Sequence, residues 1–225
     1  MGGFDTVKIQ HALITVACVL IATVFHEIAH AATANALGDP TAKERGRLTL
    51  NPFAHLDLVG SLVLPLLMAL IGGPVFAFAK PVPYNPNRLR HPIRDEVLVA
   101  LAGPFCNLVQ AGVGAIVFRL FLRFAGDGVG GETLLAIADF LATYVSVNLM
   151  LMFFNLLPLP PLDGSSIISP LLRGKARDWY YVVQRNAMPV LLGILYLVPM
   201  ILHVNPISMY LGATAVPLAN LFLGF

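Results

Sequence analysis

His26, Glu27 and His30 stand in the run His-Glu-Ile-Ala-His. On an α-helix, residues four apart share a face and lie about 6 Å apart along the axis. Two imidazoles so placed can reach one tetrahedral zinc ion. Glu27 directly follows the first histidine, so it projects beside the metal, where a bound water would sit. A carboxylate there can act as general base and then return the proton to a leaving amine. H-E-x-x-H on a helix is a zinc-protease signature. Here it falls inside an apolar stretch from about 12 to 37. Insertion scales charge roughly 2.5–3.5 kcal/mol for each ionisable side chain at membrane depth, so such a cluster points to function.

A catalytic zinc ordinarily takes three protein ligands and a water. The strongest candidate for the third is Asp163, in Asn155-Leu-Leu-Pro-Leu-Pro160-Pro-Leu-Asp163-Gly164. The prolines end a helix and free backbone groups. They place Asp163 near the same end of its segment as the histidines are of theirs. Asp139 is the rival carboxylate. It precedes Asp163 by a stretch that would span roughly 36 Å as helix, which suits a position near the opposite membrane interface.

These residues must be held by membrane helices. The 225 residues are 57% hydrophobic and only 12% charged, against roughly 25% charged in soluble domains. The expected fold is an all-α polytopic membrane protein forming one integral-membrane domain over 1–225. A helix needs about 20 apolar residues to cross the hydrocarbon, and 12–37, 96–122, 133–157, 181–203 and the weaker 206–225 qualify. The stretch 58–79 is broken by Pro65 and Gly72-Gly73-Pro74, so it is read as re-entrant or as a sixth span. The re-entrant reading puts Lys43, Arg45, Arg47, Lys80, Arg88, Arg90, Arg94, Arg173, Lys175, Arg177 and Arg185 on one face. Only Lys8, Arg119 and Arg123 lie opposite. A full crossing divides them more evenly, so the positive-inside rule favours re-entry, with the N-terminus outside and the site toward the cytoplasm. That topology also brings the histidines and Asp163 to one depth. Arg47-Leu-Thr-Leu-Asn51 alternates as a short strand does, and Lys80-Pro-Val-Pro-Tyr-Asn-Pro86 must be extended. The first apolar stretch lacks a basic leader and a small-residue exit, so it is not read as a cleaved signal. A net charge of +2 gives no reason to expect a nucleic-acid partner. Cys18 and Cys106 lie in separate apolar segments and read as buried thiols.

The two long motifs, with the element Gly103-Pro-Phe-Cys-Asn107 between them, resemble those of the site-2 protease family of intramembrane zinc metalloproteases, in its small prokaryotic form. Asn155-x-x-Pro158-x-Pro160-x-Leu162-Asp163-Gly164 is similar to the family's second motif at every defined position, and Gly103 to Asn107 to its G-x-x-x-N element. The resemblance covers about 12–170, the expected catalytic core, with C-terminal helices over about 180–225. It implies a three-helix core and one Zn2+ held by His26, His30 and Asp163. It also implies Glu27 as base, Asn155 assisting near the scissile carbonyl, and cleavage of transmembrane substrates in or near the bilayer. Single-pass proteins and signal-peptide remnants are the implied partners. No PDZ-like or nucleotide-sensing domain is recognised, so regulation of that kind is not expected. A non-catalytic metal-binding membrane protein or a metal transporter is the alternative.

Gly103, Asn107, Ala111 and Ala115 recur every four residues, a stripe that allows close helix packing. Asn107 is read equally as packing glue and as a polar contact near the site, and Asn148 as a buried interhelical hydrogen-bonder. His11, His55, His91 and His203 lie at interfaces or in loops and read as non-ligands. Trp179, Tyr180 and Tyr181 suit an interfacial aromatic belt.

Overall fold

A computed structural model describes residues 6–54, 82–125 and 131–224. The expected re-entrant stretch 58–79, with His55, Asp57 and Lys80, lies outside the described residues. The described chain is an all-α polytopic membrane protein. Its elements are α1 (Thr6–Ala36), α2 (Thr41–Glu44), α3 (Pro92–Phe124), α4 (Gly131–Asn155), α5 (Asp163–Ile168), α6 (Lys175–Arg185), α7 (Ala187–Leu202) and α8 (Pro206–Leu223). Four of these helices, α1, α3, α4 and α8, are long and apolar enough to cross a membrane. Proline opens α3 and α8, where its missing N–H costs nothing. Asn205 Oδ1 caps α8 by accepting from Ser208 N at 2.9 Å.

The burial pattern is that of a bilayer protein. Leu13, Phe105, Leu135 and Leu221 are each about two-thirds exposed, whereas Asn107 and Asn148 are fully buried. Lipid is as apolar as leucine, so the polar groups turn inward to find partners. Ala111, Ala115 and Phe118 of α3 pack on Val145, Leu149 and Met152 of α4 and on Ala215, Ala219 and Leu223 of α8. Cys18 and Ala22 of α1 pack on Val147, and both cysteines are free thiols.

The contacts fix the direction of each helix. Ala34 near the end of α1 packs on Val99 near the start of α3, and Arg90 N donates to Leu37 O at 3.1 Å. The chain therefore leaves α1 and enters α3 at one end of the bundle. His11 pairs with Asp139 at 3.2 Å, so the start of α4 lies at the opposite end, as expected for Asp139. Phe153 meets Tyr210 edge-on at 6.3 Å, and Arg119 Nη2 donates to Leu221 O at 2.7 Å. Helix α8 thus starts beside the end of α4 and runs antiparallel to it.

Two expectations need correction. The apolar stretch 181–203 is not one straight span, because α6 and α7 meet at an 83° bend. Asn186 makes the break, its Nδ2 donating back to Val182 O at 2.8 Å, and α7 carries a π-turn over Gly193–Leu197. Since α4 ends and α8 begins at one end of the bundle, the α6–α7 pair departs from that end and returns to it. The strand expected over Arg47–Asn51 does not form, and no strand occurs among the described residues. Asn51 N instead donates to Thr49 Oγ1 at 3.2 Å, and Asn51 Oδ1 accepts from Phe53 N at 3.1 Å. Such local side-chain bonds compete with a strand ladder. Residues 82–85 are extended up to a short turn over Pro86–Arg88, as their prolines require.

A buried carboxylate ties this extended segment to the end of α1. Asp39 is fully buried. Its Oδ1 accepts from the N–H (3.0 Å) and the hydroxyl of Thr41, and its Oδ2 from Asn85 N. Gly38 turns the chain at φ +113°, and a Cβ there would stand 3.2 Å from Arg88 O. Burial pushes the Asp39 carboxyl up, but these bonds and the nearby Arg88 outweigh it and hold the group below its ordinary value. Asp39→Ala strands two main-chain donors, at about 1–3 kcal/mol each, so a lower unfolding temperature in detergent is expected. The sign with pH follows from the lowered folded-state value. Asp39 stabilises above the ordinary carboxylate pKa of about 3.9 and loses that contribution as pH falls through its folded value. The gap between the variant and the wild type should therefore begin to narrow at about pH 4 and shrink further as pH falls through the lower folded-state value.

Candidate metal centre

The two histidines project from the last third of α1, and α3 fixes both rings. His30 Nδ1 lies 2.6 Å from Val99 O. A carbonyl only accepts, so this nitrogen carries a proton, which in the neutral ring leaves the Nε2 lone pair free for a metal. His26 Nδ1 lies 2.6 Å from Asn107 Oδ1, whose amide donates to Asn148 Oδ1 at 3.0 Å. Asn148 in turn donates to Tyr144 O at 2.9 Å. Metal-binding histidines characteristically use their second nitrogen in this way. Between the two α3 contacts sits Gly103. A Cβ there would fall 2.5 Å from His26 Cε1, 2.6 Å from His26 Nε2, and closer still to His30 Nε2. The rings occupy the space that a side chain would fill.

Asp163 arrives from the other motif. After α4 the chain turns back, with Leu162 N donating to Leu159 O at 2.9 Å, and Asp163 begins α5. Gly164 allows this path, because a Cβ there would collide with Leu156 O and Leu157 O. Asp163 Oδ2 then stands 3.2 Å from His26 Nε2, and Oδ1 3.3 Å from His30 Nε2. The two Nε2 atoms are 3.0 Å apart.

His26, His30 and Asp163 are the one metal-competent group of His, Cys, Asp or Glu among the described residues. The donor set fits zinc. Ligand bonds of 2.0–2.2 Å put neighbouring corners of a tetrahedron about 3.3 Å apart, close to the separations observed. Asp163 Oδ2 is buried, with no hydrogen-bond partner among the described residues. An orphaned carboxylate oxygen beside two imidazole nitrogens asks for a cation.

Beside this triad, Glu27 Oε2 accepts from Val82 N at 2.9 Å, so the extended segment reaches the carboxylate directly. Nothing in the sequence marks this contact, because a main-chain N–H has no residue signature. Asn155 is placed differently from the rest, its Nδ2 donating to Leu151 O one turn back at 3.0 Å. Its proposed part in catalysis rests on the resemblance alone. Asp139 is tied to His11, well away from the triad.

Comparison with known proteins adds independent support. YwhC of Bacillus subtilis, named as a candidate zinc metalloprotease, is 41% identical over 157 residues, covering 68% of this chain and 66% of YwhC. The chain belongs to the site-2 protease family. Two proteins named Rip2, likewise candidate zinc metalloproteases, are each 32% identical. The one from Mycolicibacterium smegmatis aligns over 178 residues, 76% of this chain and 64% of that protein. The one from Mycobacterium tuberculosis H37Rv aligns over 180 residues, 80% and 65%. The chain thus spans just under two thirds of the length of these family members. No family model matches it, and no solved structure does.

Proposed function

We propose that this protein is a zinc-dependent endopeptidase that hydrolyses peptide bonds of membrane-spanning substrates within or near the bilayer. The observation that carries this reading is the convergence of His26 and His30 of α1 with Asp163, beside Glu27, inside a bundle of membrane helices. When bound by the triad, zinc supplies a polarised scissile carbonyl and a water of lowered pKa. Glu27 takes the water's proton on its carboxylate and delivers it to the leaving amine. Asn155 assists near the carbonyl.

The bilayer setting imposes two further requirements. Hydrolysis needs water where lipid excludes it, which suits a site near one end of the bundle. That end carries Lys43, Arg45, Arg47, Arg88, Arg90 and Arg94, with Arg119 and Arg123 at the other. The distribution favours a cytoplasmic position for the site. A helical substrate must also unwind before cleavage. The extended 82–85 segment, which ends at Glu27, offers an edge to hold it as an added strand. Single-pass membrane proteins and remnant signal peptides are the substrate classes of this shape.

Zinc content of the detergent-purified chain tests the site, and cleavage of a single-pass probe in proteoliposomes tests the activity. One zinc per chain is expected in the wild type, lost or at least 100-fold weaker in His26→Ala and in Asp163→Ala, with probe cleavage lost in both. A zinc-loaded wild type that leaves every single-pass probe intact would favour a metal-binding protein without protease activity. Retention of zinc by Asp163→Ala alone would remove Asp163 from the ligand set.

A further inference from the structure

We infer that Asn148 of α4, which hydrogen-bonds to Asn107 and to Tyr144 O, decides which ring nitrogen of His26 carries the proton, and so positions the first metal ligand. Tyr144 O can only accept, so the atom of Asn148 facing it at 2.9 Å is Nδ2. Asn148 Oδ1 therefore points at Asn107 and can only accept, so Asn107 presents its Nδ2, at 3.0 Å. Asn107 Oδ1 is then left facing His26 Nδ1 at 2.6 Å. A proton must sit on Nδ1, and in the neutral ring the Nε2 lone pair turns toward His30 Nε2 and Asp163. Each step has one solution, because reversing either amide sets two donors or two acceptors against each other. Asn107 and Asn148 are fully buried and His26 is 6% exposed. A mismatched pair there cannot be repaired by solvent and costs its full desolvation penalty.

Asn107 alone does not secure this outcome. Freed from Asn148, its amide can turn over and donate to His26 Nδ1. That favours the other tautomer, in which Nε2 bears hydrogen and cannot bind metal. His30 needs no such relay, since Val99 O bonds its ring directly.

The inference rests on the metal-centre reading, but its first measurement needs no metal. In the metal-free full-length chain labelled with 15N-histidine, at a pH alkaline enough to make the rings neutral, long-range 1H–15N correlations report the His26 tautomer. The wild type should show Nδ1–H. Asn148→Ala should move His26 substantially to Nε2–H and weaken zinc binding ten- to a hundredfold. Asn148→Asp should restore both. A carboxyl in this apolar setting is neutral, so its O–H serves Tyr144 O and its C=O accepts from Asn107. Should Asn148→Ala not fold, Asn148→Thr carries the same test. Its hydroxyl bonds to Tyr144 O on its own helix and falls short of Asn107, so the tautomer should shift in the same way. Weakened zinc binding with Nδ1–H retained would reduce Asn148 to packing and overturn the inference. So would a shifted tautomer that Asn148→Asp fails to restore. A shifted and restored tautomer in a chain that never binds zinc would uphold the relay and defeat the metal reading instead.

Discussion

Glu27→Gln should lower the turnover of a cleavable membrane probe by at least about 100-fold and leave zinc affinity within a few-fold of wild type. General acid–base catalysis typically contributes 10²–10⁴ in rate, and glutamine can neither take a proton from water nor return one to the amine. The substitution is nearly isosteric, and its Oε1 can still accept from Val82 N, the bond that the carboxylate makes at 2.9 Å. The extended segment therefore stays in place, and none of the three proposed metal ligands is altered. A fall in turnover with unchanged zinc content and little change in KM is the signature of a lost base. Activity within tenfold of wild type would remove Glu27 from that role and turn attention to another proton acceptor at the site.

The second large effect is expected from adding one methyl group. In Gly103→Ala the new Cβ meets the nitrogens that face the proposed metal position, 2.6 Å from His26 Nε2 and nearer to His30 Nε2. Neither ring can swing clear without breaking the bond at its other nitrogen, to Asn107 or to Val99. Both of those partners belong to α3, so moving the helix away breaks the same bonds. Overpacking costs about 1–3 kcal/mol even without such ties. Zinc should be lost or bound at least about 100-fold more weakly, activity should disappear, and the unfolding temperature should fall. Gly112→Ala is the control on the same helix, because a Cβ there meets nothing within 4 Å. Normal zinc content in Gly103→Ala would mean that the helices do not approach as closely as described.

The convergence of His26, His30 and Asp163 was legible because their chemistry and spacing constrain each other. Two histidines one turn apart in an apolar helix leave few readings, and a proline-broken run ending in Leu162-Asp163-Gly164 supplies the missing carboxylate. The stripe from Gly103 to Ala115 announced close packing, but not that the space is taken by imidazoles in place of another backbone. Asn148 was legible as a polar group in search of a partner, and its direction of donation was not. Main-chain contacts were invisible, which hid the bond from Val82 to Glu27 and the hold of Asp39 on Asn85. The strand over Arg47–Asn51 failed because alternation cannot reveal the side-chain bonds of Thr49 and Asn51. Hydropathy carries no information on direction, so the bend at Asn186 inside the stretch 181–203 and the return to the same end went unread.

That return leaves the outer ends of the bundle on one side. Helix α1 begins, and α8 finishes, at the end of the bundle remote from the triad. A label placed at either of those helix ends is therefore presented on the membrane face opposite His26, His30 and Asp163. In a sealed vesicle that label and the water that reaches the triad would belong to different compartments.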